Sequence, residues 1–295
     1  MKEDRILEKD EYILKEINGE KITVRQLQEE ILTIMDEIDR VCRKNKIPYA
    51  LHAGSALGQI NYKGFIPWDD DIDVIVDIKD YKKFIKALNK DLSSDFYYQC
   101  FQNDKNYNVL IPNMKIRKKN TYIEEVNTLL KNKCKSGDGI FIDVSWYGSV
   151  SENKFVDQIF RTIIKILMPF MVLLDNININ PLPLKYLVEW IAVGYSKLFK
   201  KSKYASQTIA IPWEKFLKEP IFLKKDIYPF RDCEFEGRKY MTYNKPLNVV
   251  HKWYGENCTK RWNGDKWEET YPKEKRKPKH VKDINLKSDT PHNNL

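Results

Sequence analysis

The chain has 295 residues, 42% of them hydrophobic, which predicts one elaborated domain or two small ones around a sizeable core. Its five cysteines are odd in number and form no Cys-x-x-Cys pair, which argues against a disulfide scaffold and a zinc ribbon and favours the reducing cytoplasm. The first residues lack the apolar segment of a secretory signal. The net charge of +9 favours an anionic substrate or anionic lipid, and since no nucleic-acid-binding motif accompanies it, we expect no nucleic-acid partner.

The clearest predicted element is an amphipathic helix over Val24–Lys44, which follows an N-terminal extension at residues 1–22. Its apolar residues recur every three or four positions and form one stripe. Thr23 and Gln26 have the spacing of a capping box, and Asn45 ends the helix. We expect a structural role for this helix.

A short strand over Tyr49–Ala53 is predicted to lead into a turn at Gly54 and Ser55 and a helix over Ser55–Ile60. Backbone N–H groups at the start of a helix can bind an anion. Gly54 would let a phosphate approach the backbone, and Ser55 would either cap the helix or donate to a phosphoryl oxygen. Read alone, the pair also fits an ordinary turn. His52, just before it, is interpreted as a partly buried strand residue.

The most informative stretch is Gly64–Val76, where four carboxylates fall within five positions: Asp69, Asp70, Asp71 and Asp73. The β-branched residues that follow predict a buried strand. On a strand Asp71 and Asp73 would share a face, about 7 Å apart, and would repel each other unless a cation lay between them. Oxygen ligands in this arrangement suit Mg²⁺ or Mn²⁺.

Three other interpretations of the acidic run compete with a metal site. A solvated loop fits poorly with the Pro-Trp entry and the β-branched exit of the run. An EF-hand loop would need glycine and glutamate where the chain has Val74 and Asp80. An aspartyl nucleophile stays open, although adjacent carboxylates would first attract a metal.

The following segments predict a helix over Asp77–Lys90 and two strands, Phe96–Phe101 and Val109–Arg117. Lys115 and Arg117 alternate along the second strand and therefore share a face. They either bind diphosphate oxygens, which arginine can grip in a bidentate way, or form a solvated strand edge.

Gly139–Val144 predicts a further strand, in which Asp143 stands alone among apolar residues. A buried carboxylate is costly without a counter-charge or a metal. Asp143 is therefore either a hydrogen-bonded structural residue or a third ligand beside Asp71 and Asp73. We predict that it is a ligand, a general base, or both.

The domain prediction places a catalytic core at residues 23–150 and a helical insertion at 151–210. The apolar segments of the insertion, Ile163–Leu174 and Leu182–Phe199, are too short for the roughly 20 apolar residues of a spanning helix. They form either a hairpin packed on the core or an interfacial pair at the inner face of the membrane. Residues 211–264 complete the fold, and the basic residues 265–295 are predicted to be a disordered tail.

Several blocks of this sequence resemble the LicD family, whose relatives include fukutin and fukutin-related protein. Leu51–Val76 carries His-Ala-Gly-Ser-Ala-Leu-Gly and Lys-Gly-Phe-Ile-Pro-Trp-Asp-Asp-Asp-Ile-Asp-Val, and Gly139–Val144 is similar to the family's Gly-x-Phe-x-Asp-Val block. The likeness extends over about Val24–Gly255. Where members commonly carry Arg-His, this chain has Asn61-Tyr62, which leaves Lys63 as the nearest cation for a phosphate.

The resemblance implies an α+β (α/β) fold, a nucleotidyltransferase-like mixed β-sheet flanked by helices. It implies a metal-dependent transferase that moves phosphocholine from CDP-choline to a hydroxyl of a cell-surface glycan (teichoic acid, lipopolysaccharide or capsule), releasing CMP. The expected cofactor is Mg²⁺ or Mn²⁺, held by Asp69, Asp71, Asp73 and Asp143. The expected donor-binding residues are Gly54, Ser55, Lys63, Lys115 and Arg117.

Two alternatives to phosphocholine transfer stay open. Some relatives imply another cargo, such as ribitol phosphate, glycerol phosphate or a sugar phosphate, on a nucleotide-activated donor. A catalytically silent scaffold that gathers glycan-assembly proteins at the membrane surface is the alternative from a different class.

Overall fold

The computed structural model describes residues 12–17, 19–104, 114–126, 138–177, 179–207, 220–262, 267–268, 272 and 275–287. Its helices are α1 (Val24–Lys44), α2 (Ala53–Tyr62), α3 (Tyr81–Asp91), α4 (Lys154–Asn176), α5 (Leu182–Leu198), α6 (Lys224–Ile227) and α7 (Pro246–Tyr254). Its strands are β1 (Ile13–Ile17), β2 (Glu20–Thr23), β3 (Tyr49–Leu51), β4 (Asp73–Asp77), β5 (Phe96–Gln99), β6 (Met114–Lys118), β7 (Tyr122–Glu125), β8 (Phe141–Ser149), β9 (Tyr204–Gln207), β10 (Phe222–Leu223), β11 (Arg231–Phe235), β12 (Arg238–Thr242), β13 (Arg261–Trp262), β14 (Trp267–Glu268) and β15 (Val281–Asn285).

A mixed sheet with the order β10-β9-β8-β4-β3 forms the centre of the fold, and β6 and β5 extend it from β8. Strand β8 spans nine residues and organises the sheet. One edge of β8 pairs with β4 in parallel, and the other edge pairs first with β6 and then with β9, both antiparallel. The α+β fold class that the sequence predicts is confirmed.

Helices cover both faces of this sheet because the side chains of its central strands alternate between two apolar layers. On β4, Val74 and Val76 point into the layer formed with α1, α3, α4 and α5, while Ile75 points into the layer formed with α2 and α7. Trp146 of β8 anchors the first layer, with the ring of Tyr81 at 4.7 Å and that of Phe84 at 5.9 Å between centroids.

Helix α1 has the bounds and the cap that its sequence predicts. The hydroxyl of Thr23 accepts a hydrogen bond from the backbone N–H of Gln26 at 3.4 Å, and the Gln26 side chain accepts one from the Thr23 N–H at 2.9 Å. This reciprocal pair satisfies two of the donors that a helix start leaves unpaired. The predicted helix over Asp77–Lys90 begins later, since a 3₁₀ turn at Ile78–Asp80 precedes α3.

The insertion forms the helical hairpin α4–α5, as predicted. The rings of Phe160 and Tyr195 stack between the two helices with centroids 3.8 Å apart, and the Tyr195 hydroxyl donates to Asp157 Oδ1 at 2.8 Å. Among the described residues, no helix has the length and apolar content needed to cross a membrane.

The prediction of a disordered tail over residues 265–295 is wrong for the segment around residues 281–285. Val281–Asn285 forms β15, which pairs antiparallel with β7, and Ile284 is fully buried. The surrounding lysines lower the average hydropathy of the tail, which hides one strand whose apolar side chain points inward. Two predicted stretches, 109–113 and 208–219, lie outside the described residues, as do 288–295.

Candidate active site

Strands β4 and β8 bring two carboxylates side by side. Asp73, the first residue of β4, lies opposite Asp143 in the parallel register, and the Asp143 N–H donates to the Ile72 carbonyl at 3.1 Å. Because Ile72 is fully buried, the neighbouring Asp71 and Asp73 are left half-buried at the end of the strand. The chain thus gathers carboxylates from residues seventy positions apart at one edge of the sheet.

The start of α2 lies against the same acidic run. A Cβ atom on Gly54 would stand 2.9 Å from Asp69 Oδ2, so only glycine leaves the carboxylate where it is. The preceding Ala53 has a φ of +45°, a strained value for a residue with a side chain. Gln28 of α1 fixes the other side of the run, since its Nε2 donates to the Asp69 carbonyl at 2.8 Å.

Crowding of these carboxylates shifts their proton affinity. Burial, and then the negative charge of Asp71, raises the pKa of Asp69 well above its usual value. Burial, and then Asp71 and Asp143, does the same to the pKa of Asp73. Burial together with Asp70 and Asp143 raises the pKa of Asp71 to about 6, although His280 opposes the shift. Repulsion among neighbouring carboxylates is the condition that a bound divalent cation relieves.

His280 supplies positive charge to this cluster from the C-terminal segment. Its Nδ1 lies 2.8 Å from Asp70 Oδ1 and 3.4 Å from Asp71 Oδ2. The charge of Asp71 is the largest of the effects that raise the pKa of His280 to about 11, against the opposing effect of burial. The imidazole is therefore protonated at neutral pH and acts as a counter-ion to the carboxylates.

Asp70 differs from the neighbouring carboxylates in that it is almost fully buried and binds the C-terminal segment. Its Oδ2 accepts the backbone N–H groups of Lys279, His280 and Val281 at 3.2, 2.9 and 3.0 Å. Burial alone would raise the pKa of Asp70, but the hydrogen bond and charge of His280, together with the backbone N–H groups of His280 and Val281, outweigh it and lower the pKa. Asp70 is thus an ionised anchor for the strand that follows.

Lys115 lies on the opposite side of the cluster, in register with Asp143. Its Nζ is 2.9 Å from Asp143 Oδ1 and 3.0 Å from Glu125 Oε1, and it stands 3.3 Å from the centroid of the Phe141 ring. Burial would raise the pKa of Glu125, yet the nearby cations Lys115 and Arg117 lower it. One buried ammonium therefore bridges two carboxylates and fixes the Asp143 side chain in place.

The donor atoms present here suit a hard divalent cation. Atoms of Asp69, Asp70, Asp71 and His280 lie within 4.8 Å of one another, and Asp73 and Asp143 stand beside them on the strands. Carboxylate oxygens are the ligands that Mg²⁺ and Mn²⁺ prefer. The protonated His280 has no lone pair for a metal, so the carboxylates are the residues that fit such an ion.

The family model described as "LicD/FKTN/FKRP, nucleotidyltransferase domain" matches residues 46–165. This part of the chain is similar to the LicD family. A curated relative, the lipopolysaccharide cholinephosphotransferase LicD of Haemophilus influenzae, is 45% identical over 65 residues, 22% of this chain. That similarity spans 24% of the relative, so the chain matches only about a quarter of its length.

The segment that matches the LicD family model contains all the carboxylates that the sequence singles out, and it ends within α4. His280 lies beyond it, as does β15, yet both contact the acidic run directly or through β7. The candidate site is therefore built from the matched segment and from a part of the chain that the family match does not include.

Not every predicted donor-binding residue lies at this cluster. Ser55 is buried, and its Oγ accepts the Asp73 N–H at 2.9 Å, so it orients the acidic strand. Lys63 caps the far end of α2, about 13 Å along the helix from Gly54, and its Nζ is 3.3 Å from Glu234. The structure does not bring Lys63 to the carboxylates.

Arg117 is also placed differently from the expectation of a phosphate-binding side chain. It is 3% exposed, and its guanidinium donates to Gln99 Oε1 at 2.8 Å and to the Gly139 carbonyl at 2.6 Å. A contact with phosphate would require these bonds to break. Its evident contribution is to join β5 and β6 to the entry of β8.

Three residues at the site escaped the sequence reasoning: Gln28, Glu125 and His280. Gln28 lies in the stripe of α1 as the one buried amide, a signal that a buried polar group needs partners. Glu125 and His280 lie in segments of ordinary composition, and only the pairing of β7 with β15 brings them near the carboxylates.

Proposed function

We propose that this protein is a metal-dependent transferase that moves phosphocholine from CDP-choline to a hydroxyl of a cell-surface glycan. The observation that carries the proposal is the parallel pairing of Asp73 with Asp143 beside Asp71, within the segment that matches the LicD family model. The name of the Haemophilus relative, a lipopolysaccharide cholinephosphotransferase, supports choline as the cargo.

The proposed metal is Mg²⁺ or Mn²⁺, held by Asp69, Asp71, Asp73 and Asp143, and it would offset the negative charge of the donor diphosphate. Asp73 and Asp143 lie opposite each other in the parallel pairing of β4 with β8, which supports a metal shared between the two strands. Gly54 leaves room beside Asp69 at the start of α2, where backbone N–H groups favour a phosphate.

The transfer itself is proposed as a direct displacement at phosphorus. The acceptor oxygen forms a bond to the phosphorus of phosphocholine, the bond to the CMP oxygen breaks, and CMP leaves with the electron pair. Asp143 takes the proton of the acceptor hydroxyl, and Lys115, 2.9 Å away, orients that carboxylate. Arg117 and Glu125 hold Lys115 and the strand in place from behind.

The acceptor proposed here is a glycan that carries a lipid, as in lipopolysaccharide, teichoic acid or a capsule precursor. The protein would work in the cytoplasm at the inner face of the membrane, where such acceptors are assembled. The basic residues near the end of the α4–α5 hairpin support a peripheral contact with anionic lipid.

The decisive experiment measures release of CMP by the full chain from a panel of donors, with Mg²⁺ or Mn²⁺ present. Release from CDP-choline and not from CDP-ribitol or CDP-glycerol supports the proposed cargo. Release from another CDP donor keeps the transferase and changes the cargo. No release from any donor with either metal would contradict the enzymatic proposal and favour a scaffold.

Replacing one predicted ligand tests the role of the carboxylates. Asp73→Asn keeps the shape of the side chain but removes its charge, so we expect CMP release to fall by more than about 100-fold. Asp95→Asn is the matched control, because Asp95 is an exposed aspartate away from the carboxylate cluster. Full activity of Asp73→Asn would show that the metal assignment is wrong.

A further inference from the structure

A cavity of about 1010 Å³ lies at the other end of β4 from the acidic cluster. Asp73 begins the strand at the cluster and Asp77 ends it at the cavity, so roughly 13 Å of strand separates the two. The cavity is walled by the 3₁₀ turn after β4, by α5 and by α6. No residue proposed as a metal ligand or donor-binding residue lines it.

The lining of this cavity is strongly basic. Among the described residues, its lining includes two acids, Asp77 and Glu189, and six lysines: Lys79, Lys82, Lys197, Lys200, Lys224 and Lys225. Asp77 is already paired with Lys79 at 3.2 Å, and Glu189 accepts a hydrogen bond from Gln102 at 2.6 Å. Burial, and then the charge of Lys79, acts to lower the pKa of Lys224, and Asp77 opposes this only in part. The cavity therefore holds more positive charge than its own acids offset.

The same cavity has an apolar wall, formed mainly by α5. Tyr186, Trp190 and Val193 line it from that helix, and Ile78 and Tyr228 line it from the opposite side. Trp190 is 73% exposed, an unusual state for a tryptophan in water. A ligand that fits this lining carries anionic charge at one end and apolar groups at the other.

Helix α4 adds a longer apolar surface to the hairpin. Its exposed residues recur every three or four positions along one stripe: Phe155, Ile159, Ile163, Ile166, Phe170 and Leu173. Both helices of the hairpin thus present large apolar side chains to solvent, and lysines gather at the end of α5. Aromatic and apolar side chains next to a basic cluster are typical of proteins that lie at the surface of an anionic bilayer.

We propose that this cavity binds the phosphate headgroup of an anionic membrane lipid while α5 rests on the bilayer. The lysines would surround the phosphate as point charges, and Trp190 and Tyr186 would lie at the boundary between headgroup and acyl chain. The proposal concerns a site apart from the carboxylates and does not depend on the transferase chemistry. Vesicle binding measured without any donor therefore tests it separately.

The first test is flotation of the full chain with phosphatidylcholine vesicles that contain or lack phosphatidylglycerol. We expect binding to require phosphatidylglycerol and to weaken as salt is added. The variant Lys82→Gln/Lys197→Gln/Lys225→Gln removes three exposed lysines of the cavity. At about fivefold per lysine, its partition coefficient should fall by roughly 100-fold.

A matched control removes three exposed lysines outside the cavity, through Lys86→Gln/Lys90→Gln/Lys252→Gln. It has the same net charge as the cavity variant, so attraction by overall charge alone would weaken both variants equally. Equal loss in the two, or no binding of the unchanged protein to phosphatidylglycerol vesicles, would overturn the proposal. Thermal melting of each variant confirms that it is folded.

A second measurement locates the contact. Bromine-labelled phosphatidylglycerol should quench tryptophan fluorescence of the unchanged protein, and Trp190→Phe should remove most of that quenching while melting unchanged. If millimolar inorganic phosphate or CMP displaced the protein from the vesicles, the cavity would serve a soluble anion and the lipid assignment would be wrong. Quenching that survives in Trp190→Phe would also contradict it.

Discussion

Single side chains at the candidate site have little freedom, because each packs against the carboxylate run. Gly54 is the clearest example, because a Cβ atom at this residue would occupy the space beside the Asp69 carboxylate. Ser55, next to it, fixes the first residue of β4 through the Asp73 N–H. A side chain added at residue 54 would therefore disturb the geometry of the carboxylates more than the fold.

Gly54→Ala is predicted to lower transferase activity by about tenfold, since Asp69 must move to admit a methyl group and misplacement of a catalytic group is costly. Gly194→Ala is its control, because nothing lies within 4 Å of a Cβ at that position in α5. We expect the control to keep full activity and to gain about 0.5–1 kcal/mol of helix stability. Steady-state CMP release and thermal melting measure both; equal activity of the two variants would contradict the prediction.

The C-terminal segment contributes to the shape of the site from outside the matched segment. Its strand β15 pairs with β7, which carries Glu125, and the backbone N–H groups of Lys279, His280 and Val281, the first residue of β15, donate to Asp70. The C-terminal segment therefore holds the acidic cluster on one side directly and on the other through Glu125 and Lys115.

His280→Ala is predicted to destabilise the protein by about 1–2 kcal/mol, because Asp70 stays buried and loses its charged partner. It should also weaken activity, since Asp71 loses the same contact. Lys282→Ala, two residues along the strand, removes an exposed pair with Glu124 and should change neither quantity measurably. Urea unfolding and CMP release of the two variants check this. A Lys282→Ala variant as impaired as His280→Ala would indicate that the strand matters and His280 does not.

For the molecule as a whole, repulsion within the acidic cluster lowers the free energy of unfolding, and a bound metal would offset this loss. Carboxyl groups whose pKa is raised on folding stabilise the folded chain when protonated, and this contribution is lost as pH rises through the folded pKa. For Asp71 the loss falls between its unfolded value of about 4 and its folded value of about 6. Above that range the metal-free chain carries repulsion among the carboxylates that His280 offsets only in part.

We therefore expect Mg²⁺ to raise the melting temperature more at pH 7.5 than near pH 5, where protons compete for the carboxylates. In EDTA, the unchanged protein should lose melting temperature between about pH 4 and pH 6 relative to Asp71→Asn, which cannot ionise at that position. Scanning calorimetry across this range measures both effects. A Mg²⁺ shift that is equal at the two pH values, or that persists in full in Asp71→Asn, would contradict a metal at this site.

Several elements of the fold can be predicted from local sequence patterns. The stripe and cap of α1, the buried strand after Asp71 and the strand that carries Asp143 were each correctly predicted, because side-chain periodicity and capping depend on neighbours in the chain. The helical hairpin followed from apolar runs too short to span a membrane. The sequence blocks that resemble the LicD family added the expected reaction and its expected site residues.

Other features depend on contacts between segments that are far apart in the chain. The tail was predicted to be disordered since composition is an average, whereas β15 depends on an unpaired edge offered by β7. The sequence predicts Arg117 and Lys63 equally as phosphate-binding cations. In the structure, Arg117 is buried against Gln99, and Lys63 lies at the far end of α2. The sequence by itself determined which residue types and which strands form the acidic cluster. Only the tertiary structure decided which charges meet it, because contacts between segments far apart in the chain are set by strand pairing and packing, which local periodicity does not record.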